Sequence, residues 1–162
     1  MLQYFHSAEG LPLELGGRLS RLEIAYHTYG RREAPVVWVC HALTANSDVC
    51  DWWAGLFGPG ALFDPDRYFI VCANNLGSCY GTTGPLSQKP ETGEAWFHDF
   101  PRITIRDMVA AHDLLRRHLG IARIACLIGG SQGGQQAMEW AILKPELFER
   151  LVLPMPRIRP GA

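Results

Sequence analysis

The feature that most constrains this chain is the junction of an apolar run, Ile124-Ala125-Cys126-Leu127-Ile128, with the glycine-rich hexapeptide Gly129-Gly130-Ser131-Gln132-Gly133-Gly134. A continuous apolar run of this length reads as a strand buried on both faces. A helical pattern follows at once, from about Gly134 to Lys144, and Pro145 stops it. Inside the turn lies G-x-S-x-G, from Gly129 to Gly133. Strand, turn and helix in that order are what a nucleophile elbow requires. The serine sits in a strained turn so that its hydroxyl projects from the sheet edge. Its neighbours must be small because the strand and helix backbones pass close together. Ser131 is therefore the candidate nucleophile. The competing reading, a tight glycine turn with a bystander serine, stays open on this motif alone. A phosphate loop is disfavoured, since no G-K-[ST] follows the glycines and the spacing is not G-x-G-x-x-G.

Three further runs resemble buried strands: Val36–Cys40, Tyr68–Ala73 and Leu151–Leu153. Leu11, Leu13 and Leu15 alternate before Gly16-Gly17, and Leu22, Ile24 and Tyr26 alternate after it, a pattern that predicts a β-hairpin. Thr104 and Asp107 predict a capping box. Behind it, Ile105, Met108, Val109, His112, Leu115 and Leu119 share one helical face, and Gly120 ends the helix. Strands buried on both faces and alternating with helices predict an α/β fold with a mostly parallel sheet and helices on both faces. Two long connections, 41–65 and 74–102, leave the carboxyl ends of predicted strands, the edge where open α/β sheets place ligands.

Acyl transfer needs two N–H donors for the oxyanion. One should be the amide after the nucleophile, Gln132. The other should come from the loop after a neighbouring strand, for which Leu43 in His41-Ala42-Leu43-Thr44 is the candidate. His41 could be read as a general base, but a histidine opening such a loop is read here as its brace. His112, on an apolar helix face, reads as a core histidine. His6, His27, His98 and His118 have no recognisable partner motif. Nothing marks Cys79 as an activated thiol.

Composition excludes several classes. The net charge is −1 with no Lys/Arg-rich run, so neither nucleic acid nor an anionic membrane is an expected partner. No apolar stretch is long enough to span a bilayer, and Met1–Gly10 lacks the features of a signal peptide. The five cysteines, Cys40, Cys50, Cys72, Cys79 and Cys126, are odd in number and show no C-x-x-C pair. That predicts reduced thiols in the cytoplasm and no metal site.

Four segments together resemble the homoserine O-acetyltransferases, enzymes of methionine biosynthesis with the α/β-hydrolase fold. They are His41–Thr44, Asn75–Pro85, Phe100–Asp107 and Gly129–Trp140, in the family's order and spacing. The resemblance covers about residues 1–153, the amino-terminal part of the family's domain. Residues 154–162 form a Pro-rich tail unlike the family. The resemblance implies attack of Ser131 on the thioester of acetyl-CoA, a co-substrate rather than a bound cofactor, followed by transfer of the acetyl group to the hydroxyl of L-homoserine. It maps Leu43 and Gln132 onto the oxyanion donors, where the family usually has Met after the serine. It assigns no cofactor-binding residue.

The family's catalytic aspartate and histidine, a cap and a substrate-binding arginine belong to a carboxyl-terminal half that this sequence does not contain. The expectation is therefore a C-terminally truncated or frameshifted α/β-hydrolase domain, inactive alone. Full-length members are commonly homodimers. A related esterase or thioesterase, and a non-catalytic fragment, are the alternatives.

Overall fold

The computed structural model describes residues 1–154, so all of the Pro-rich tail beyond Pro154 lies outside the described residues. In chain order the strands are β1 (Leu2–Ser7), β2 (Leu11–Pro12), β3 (Arg18–Leu19), β4 (Leu22–Tyr29), β5 (Val36–Cys40), β6 (Phe69–Ala73), β7 (Cys126–Gly129) and β8 (Leu151–Val152). The α-helices are α1 (Val49–Trp52), α2 (Ile105–His118) and α3 (Gln132–Leu143).

Six strands form one sheet in the order β1-β4-β6-β5-β7-β8. The pairs β6–β5, β5–β7 and β7–β8 are parallel, while β1–β4 and β4–β6 are antiparallel. The central strands β5, β6 and β7 are buried at every position, as their unbroken apolar runs require. Their side chains alternate between two cores. Val36, Trp38, Cys40, Val71 and Leu127 face α2 and α3. Val37, Val39, Ile70, Cys72 and Ile128 face Val49 of α1 and the aromatic segment behind it, where Phe57 stacks on Phe63 at 4.9 Å. One face thus carries two long helices, and the other a single helical turn with an aromatic loop.

Helix α2 begins where the capping box predicts. Thr104 Oγ1 accepts from the Asp107 amide, and the Asp107 carboxylate accepts from the Thr104 amide at 2.8 Å. The hairpin expectation needs correcting. Only β2 and β3 pair across Gly16-Gly17, and β4 pairs instead with β1. Strand β1 is an edge strand whose outward residues include Leu2 and Tyr4, so it carries no clean apolar alternation to announce it. Helix α3 begins at Gln132, two residues before the apolar pattern suggests, because Gly133 and Gly134 are buried in its first turn. None of the helices is long and apolar enough to cross a membrane among the described residues.

Candidate active site at the carboxyl edge of the sheet

Parallel strands β5 and β7 end level with each other, Cys40 lying opposite Gly129. Their connections therefore leave the sheet side by side, which brings the 41–44 loop and the 129–134 turn to one edge. Gly133 packs tightly on the β5 exit: a Cβ there would meet the Cys40 carbonyl oxygen at 1.9 Å and the His41 oxygen at 2.8 Å.

Ser131 occupies the N-cap position of α3 with φ 55° and ψ −125°, a left-handed conformation that is rare for a residue with a side chain. Such backbone strain costs about 1–3 kcal/mol and persists only where the surroundings enforce it. Here the close approach of strand and helix leaves no other path. The same geometry takes the hydroxyl away from the usual N-cap role. The Ser131 side chain makes no capping bond, and its carbonyl accepts from the amides of Gly134 (2.9 Å) and Gln135 (3.2 Å). The residue is exposed, and among the described residues its hydroxyl has no hydrogen-bond partner.

Leu43, also exposed, lies in the turn after β5. The amides of Leu43 and Gln132 donate to no acceptor among the described residues. Gln132 is the first residue of α3, where four amides are intrinsically without helical partners and the helix dipole favours negative charge.

His41 is not placed to act as a base. It is fully buried, and its Nε2 accepts from the Asn75 amide at 3.2 Å. The proton therefore sits on Nδ1, which donates to the Ala42 carbonyl at 2.7 Å. Both ring nitrogens are occupied, and burial lowers its pKa, with the Ala42 bond acting in the opposite sense. The brace reading of His41 agrees with this geometry.

His112 is the buried core histidine that the helix pattern predicts. Its Nδ1 accepts from Trp38 Nε1 at 3.3 Å and its Nε2 pairs with Gln136 Oε1 at 2.9 Å. Burial pushes its pKa from the ordinary 6.5 down to about 4, against the effect of the Gln136 bond. Between those values the unfolded chain holds the proton and the folded chain does not. Stability from this group is therefore fully present above pH 6.5 and is lost as pH falls toward 4, about 3 kcal/mol in all. Urea unfolding from pH 7 to 4.5 should show a steeper loss for the wild type than for His112→Gln, by nearly one proton. Parallel curves would contradict the assignment.

A meeting of serine, histidine and aspartate away from Ser131 was not legible in the sequence. His27 Nδ1 lies 2.9 Å from Ser47 Oγ, and its Nε2 is 3.9 Å from Asp48. Ser47 is 1% exposed, accepts from Asn74 Nδ2 at 2.9 Å and gives its amide to Asn74 Oδ1 at 2.7 Å. This group fastens the loop after β5 to the loop after β6. A buried hydroxyl held in that way is not presented to a substrate.

A cavity of about 490 Å³ lies between α2, α3 and the β2–β3 hairpin, lined in part by Arg18, Arg106, Asp113, Lys144 and Trp140 but by neither the 41–44 loop nor the 129–134 turn. Much of its charge is internally paired, with Asp113 holding Lys144 at 2.8 Å and Arg106 bound to Glu14 and Glu139. The strained serine lies apart from this cavity. Cys79 is exposed, and Cys40 and Cys72 are buried with thiols pushed up by burial. Among the described residues no cluster of three His, Cys, Asp or Glu could hold a metal ion.

With this geometry in place, comparison with known proteins is decisive for the family. Residues 35–161 match the family model described as the alpha/beta hydrolase fold. The chain belongs to the α/β-hydrolase family. Within that family, the likeness to homoserine O-acetyltransferases read from the four motifs is shown by sequence. The homoserine O-acetyltransferase of Chlorobaculum tepidum is 54% identical over 153 residues, covering 93% of this chain and 43% of that protein. That of Moorella thermoacetica is 45% identical, covering 93% of this chain and 44% of that protein. Among solved structures, homoserine O-acetyltransferase from Bacillus anthracis superposes with a TM-score of 0.88 at 30% identity, over 99% of this chain and 48% of that one. Esterase E22 superposes with a TM-score of 0.83 at 28% identity, over 94% and 47%. This α/β-hydrolase chain therefore spans less than half the length of the relatives it matches.

Proposed function

We propose that this chain carries the nucleophile and oxyanion-binding part of a homoserine O-acetyltransferase. Ser131 Oγ attacks the thioester carbon of acetyl-CoA and the C–S bond breaks. CoA leaves as the thiol with the serine proton, and the acetyl group stays on Ser131. The hydroxyl of L-homoserine then attacks that ester and takes the acetyl group, its proton returning to Ser131. One difficult transfer becomes two easier ones. The amides of Leu43 and Gln132 receive the negative oxygen formed in each step, a contribution typically worth about 3–4 kcal/mol per donor.

The observation that carries the reading is the exposed, strained Ser131, its hydroxyl unspent, at the edge where two amides lack acceptors. The identity to homoserine O-acetyltransferases supports homoserine as the acceptor, and acetyl-CoA as the donor is part of the proposal. No bound cofactor is required, since acetyl-CoA is consumed as co-substrate. Five unpaired cysteines suit a reducing compartment, so we place the protein in the cytoplasm of its cell.

No imidazole or carboxylate hydrogen-bonds Ser131 among the described residues, and losing the base alone costs a serine enzyme about 10⁶-fold. The chain by itself should therefore release CoA from acetyl-CoA no faster than its Ser131→Ala variant. Fused through residues 1–153 to the remaining part of the Chlorobaculum tepidum relative, it should release CoA in a homoserine-dependent manner, at least about 10³-fold above the same fusion carrying Ser131→Ala. Likeness to esterase E22 supports a second reading, with water as acceptor. Free acetate formed at the same rate with or without homoserine would select it. A fusion without either activity would contradict both.

A further inference from the structure

Asn75, in the loop after β6, touches both halves of the proposed oxyanion hole from a position only 3% exposed. Its backbone N–H donates to His41 Nε2 at 3.2 Å. Its side-chain nitrogen donates to the His41 carbonyl and to Gln132 Oε1, each at 3.3 Å. Its side-chain oxygen accepts from Gln136 Nε2 at 3.1 Å. One residue thus spans the exit of β5 and the first turn of α3.

The direction of every bond follows from two obligate donors, Trp38 Nε1–H and the Asn75 backbone N–H that places the His41 proton on Nδ1. Trp38 Nε1–H can only donate, so His112 Nδ1 accepts and the His112 proton sits on Nε2. That Nε2–H donates to Gln136 Oε1, which leaves Gln136 Nε2 to donate and Asn75 Oδ1 to accept. The Asn75 NH₂ group then points at Gln132 and His41. The 3.4 Å approach of Asn75 Nδ2 to His41 Nδ1 is a contact between two donors and not a bond, because Nδ1 gives its proton to Ala42. The chain starts on β5 at Trp38, crosses α2 and α3, reaches the β6 loop and returns to the end of β5 at His41. Trp38, His41, Gln136 and His112 are all at most 2% exposed, so no water replaces a broken link without rearrangement.

We propose that Asn75 is a positioning residue that sets the spacing of the Leu43 and Gln132 amides, with Gln136 and His112 holding its side chain in the required orientation. The proposal rests on the reading of those two amides as oxyanion donors. A buried polar group that loses its partner is costly, and a half-satisfied buried network is worse than an apolar one. Neither the 41–44 loop nor the start of α3 can therefore shift alone. Misplacement of a catalytic group by about 1 Å can cost 10²-fold in rate.

The test uses the 162-residue chain and p-nitrophenyl acetate as an activated acetyl donor. Asn75→Leu should slow single-turnover acetylation of Ser131 by about 10–100-fold with the ester concentration at half-maximal rate unchanged. In amide NMR spectra it should move the Leu43 and Gln132 signals together. Gln136→Met, which breaks the next link and leaves the bonds of Asn75 to His41 in place, should move the Gln132 signal and slow acetylation less. In the unmodified chain, ring ¹⁵N spectra should report opposite neutral tautomers, Nδ1–H at His41 and Nε2–H at His112, a result that needs no variant to fold. The Nε2–H tautomer at His41, or Asn75→Leu with wild-type rate and unmoved amide signals, overturns the proposal. Should the wild type acetylate elsewhere than Ser131, the functional reading falls instead, and the tautomers and amide signals still decide whether Asn75 ties the two loops.

Discussion

Gly133→Ala should yield a chain without a cooperative unfolding transition at room temperature, or one destabilised by more than about 4 kcal/mol, a large part of the stability of a typical domain. The added Cβ would lie 1.9 Å from the Cys40 carbonyl oxygen and 2.5 Å from its carbon, both backbone atoms of a buried strand. No rotamer change relieves such an overlap. Either α3 lifts from the sheet, uncovering Trp140 and Ala137, or β5 leaves its place between β6 and β7. Gly129→Ala should behave similarly, with its Cβ 2.2 Å from the Gly133 oxygen. Gly130→Ala is the internal control. Its nearest contact is 3.5 Å away, at the Pro154 oxygen, so the cost should stay within about 1 kcal/mol. Urea unfolding of the three variants checks the set. Equal stability of Gly130→Ala and Gly133→Ala would mean that helix and strand are not pressed together at this turn.

Ser131→Ala should remove the reaction and leave the fold. Its side chain is exposed and bonds to nothing among the described residues, so the melting transition should move by no more than about 0.5 kcal/mol. Acetylation at position 131 by p-nitrophenyl acetate, and the p-nitrophenol released with it in a single turnover, should disappear. What the oxyanion donors and positioning supply without the nucleophile, about 10³–10⁴-fold over water in serine enzymes, stays in the variant as cleavage without an acetyl-enzyme. An alanine variant as reactive as the wild type would move the chemistry to another group.

The parts of the fold legible in the sequence are those whose burial is simple. Strands β5, β6 and β7 are buried on both faces, so the apolar runs Val36–Cys40, Tyr68–Ala73 and Ile124–Ile128 mark them to within two residues of their observed ends. Helix α2 declared its start because Thr104 and Asp107 solve a local hydrogen-bonding problem with local residues. Strand β1 did not declare itself, since an edge strand with Leu2 and Tyr4 turned outward follows no burial period. The strained turn at Ser131 was legible from its glycines, which the close backbone approach demands. Leu43, proposed as an oxyanion donor, could be singled out only by its place after a strand, because a backbone donor would leave no mark on the side chain. Asn75 and Gln136 had no local signal: their partners lie 24 to 61 residues away in sequence, and a lone buried amide side chain resembles any polar loop or helix residue. The Ser47–His27 contact escaped for the same reason, across 20 residues.

The proposed function requires first of all an outward hydroxyl at position 131 that accepts an acyl group. Peptide mapping by mass spectrometry after brief exposure to p-nitrophenyl acetate addresses it directly. One acetyl group is expected on the peptide bearing Ser131, absent from Ser131→Ala and from unfolded wild type. Acetylation confined to lysine or tyrosine side chains, or equal in the folded and unfolded chain, would contradict it.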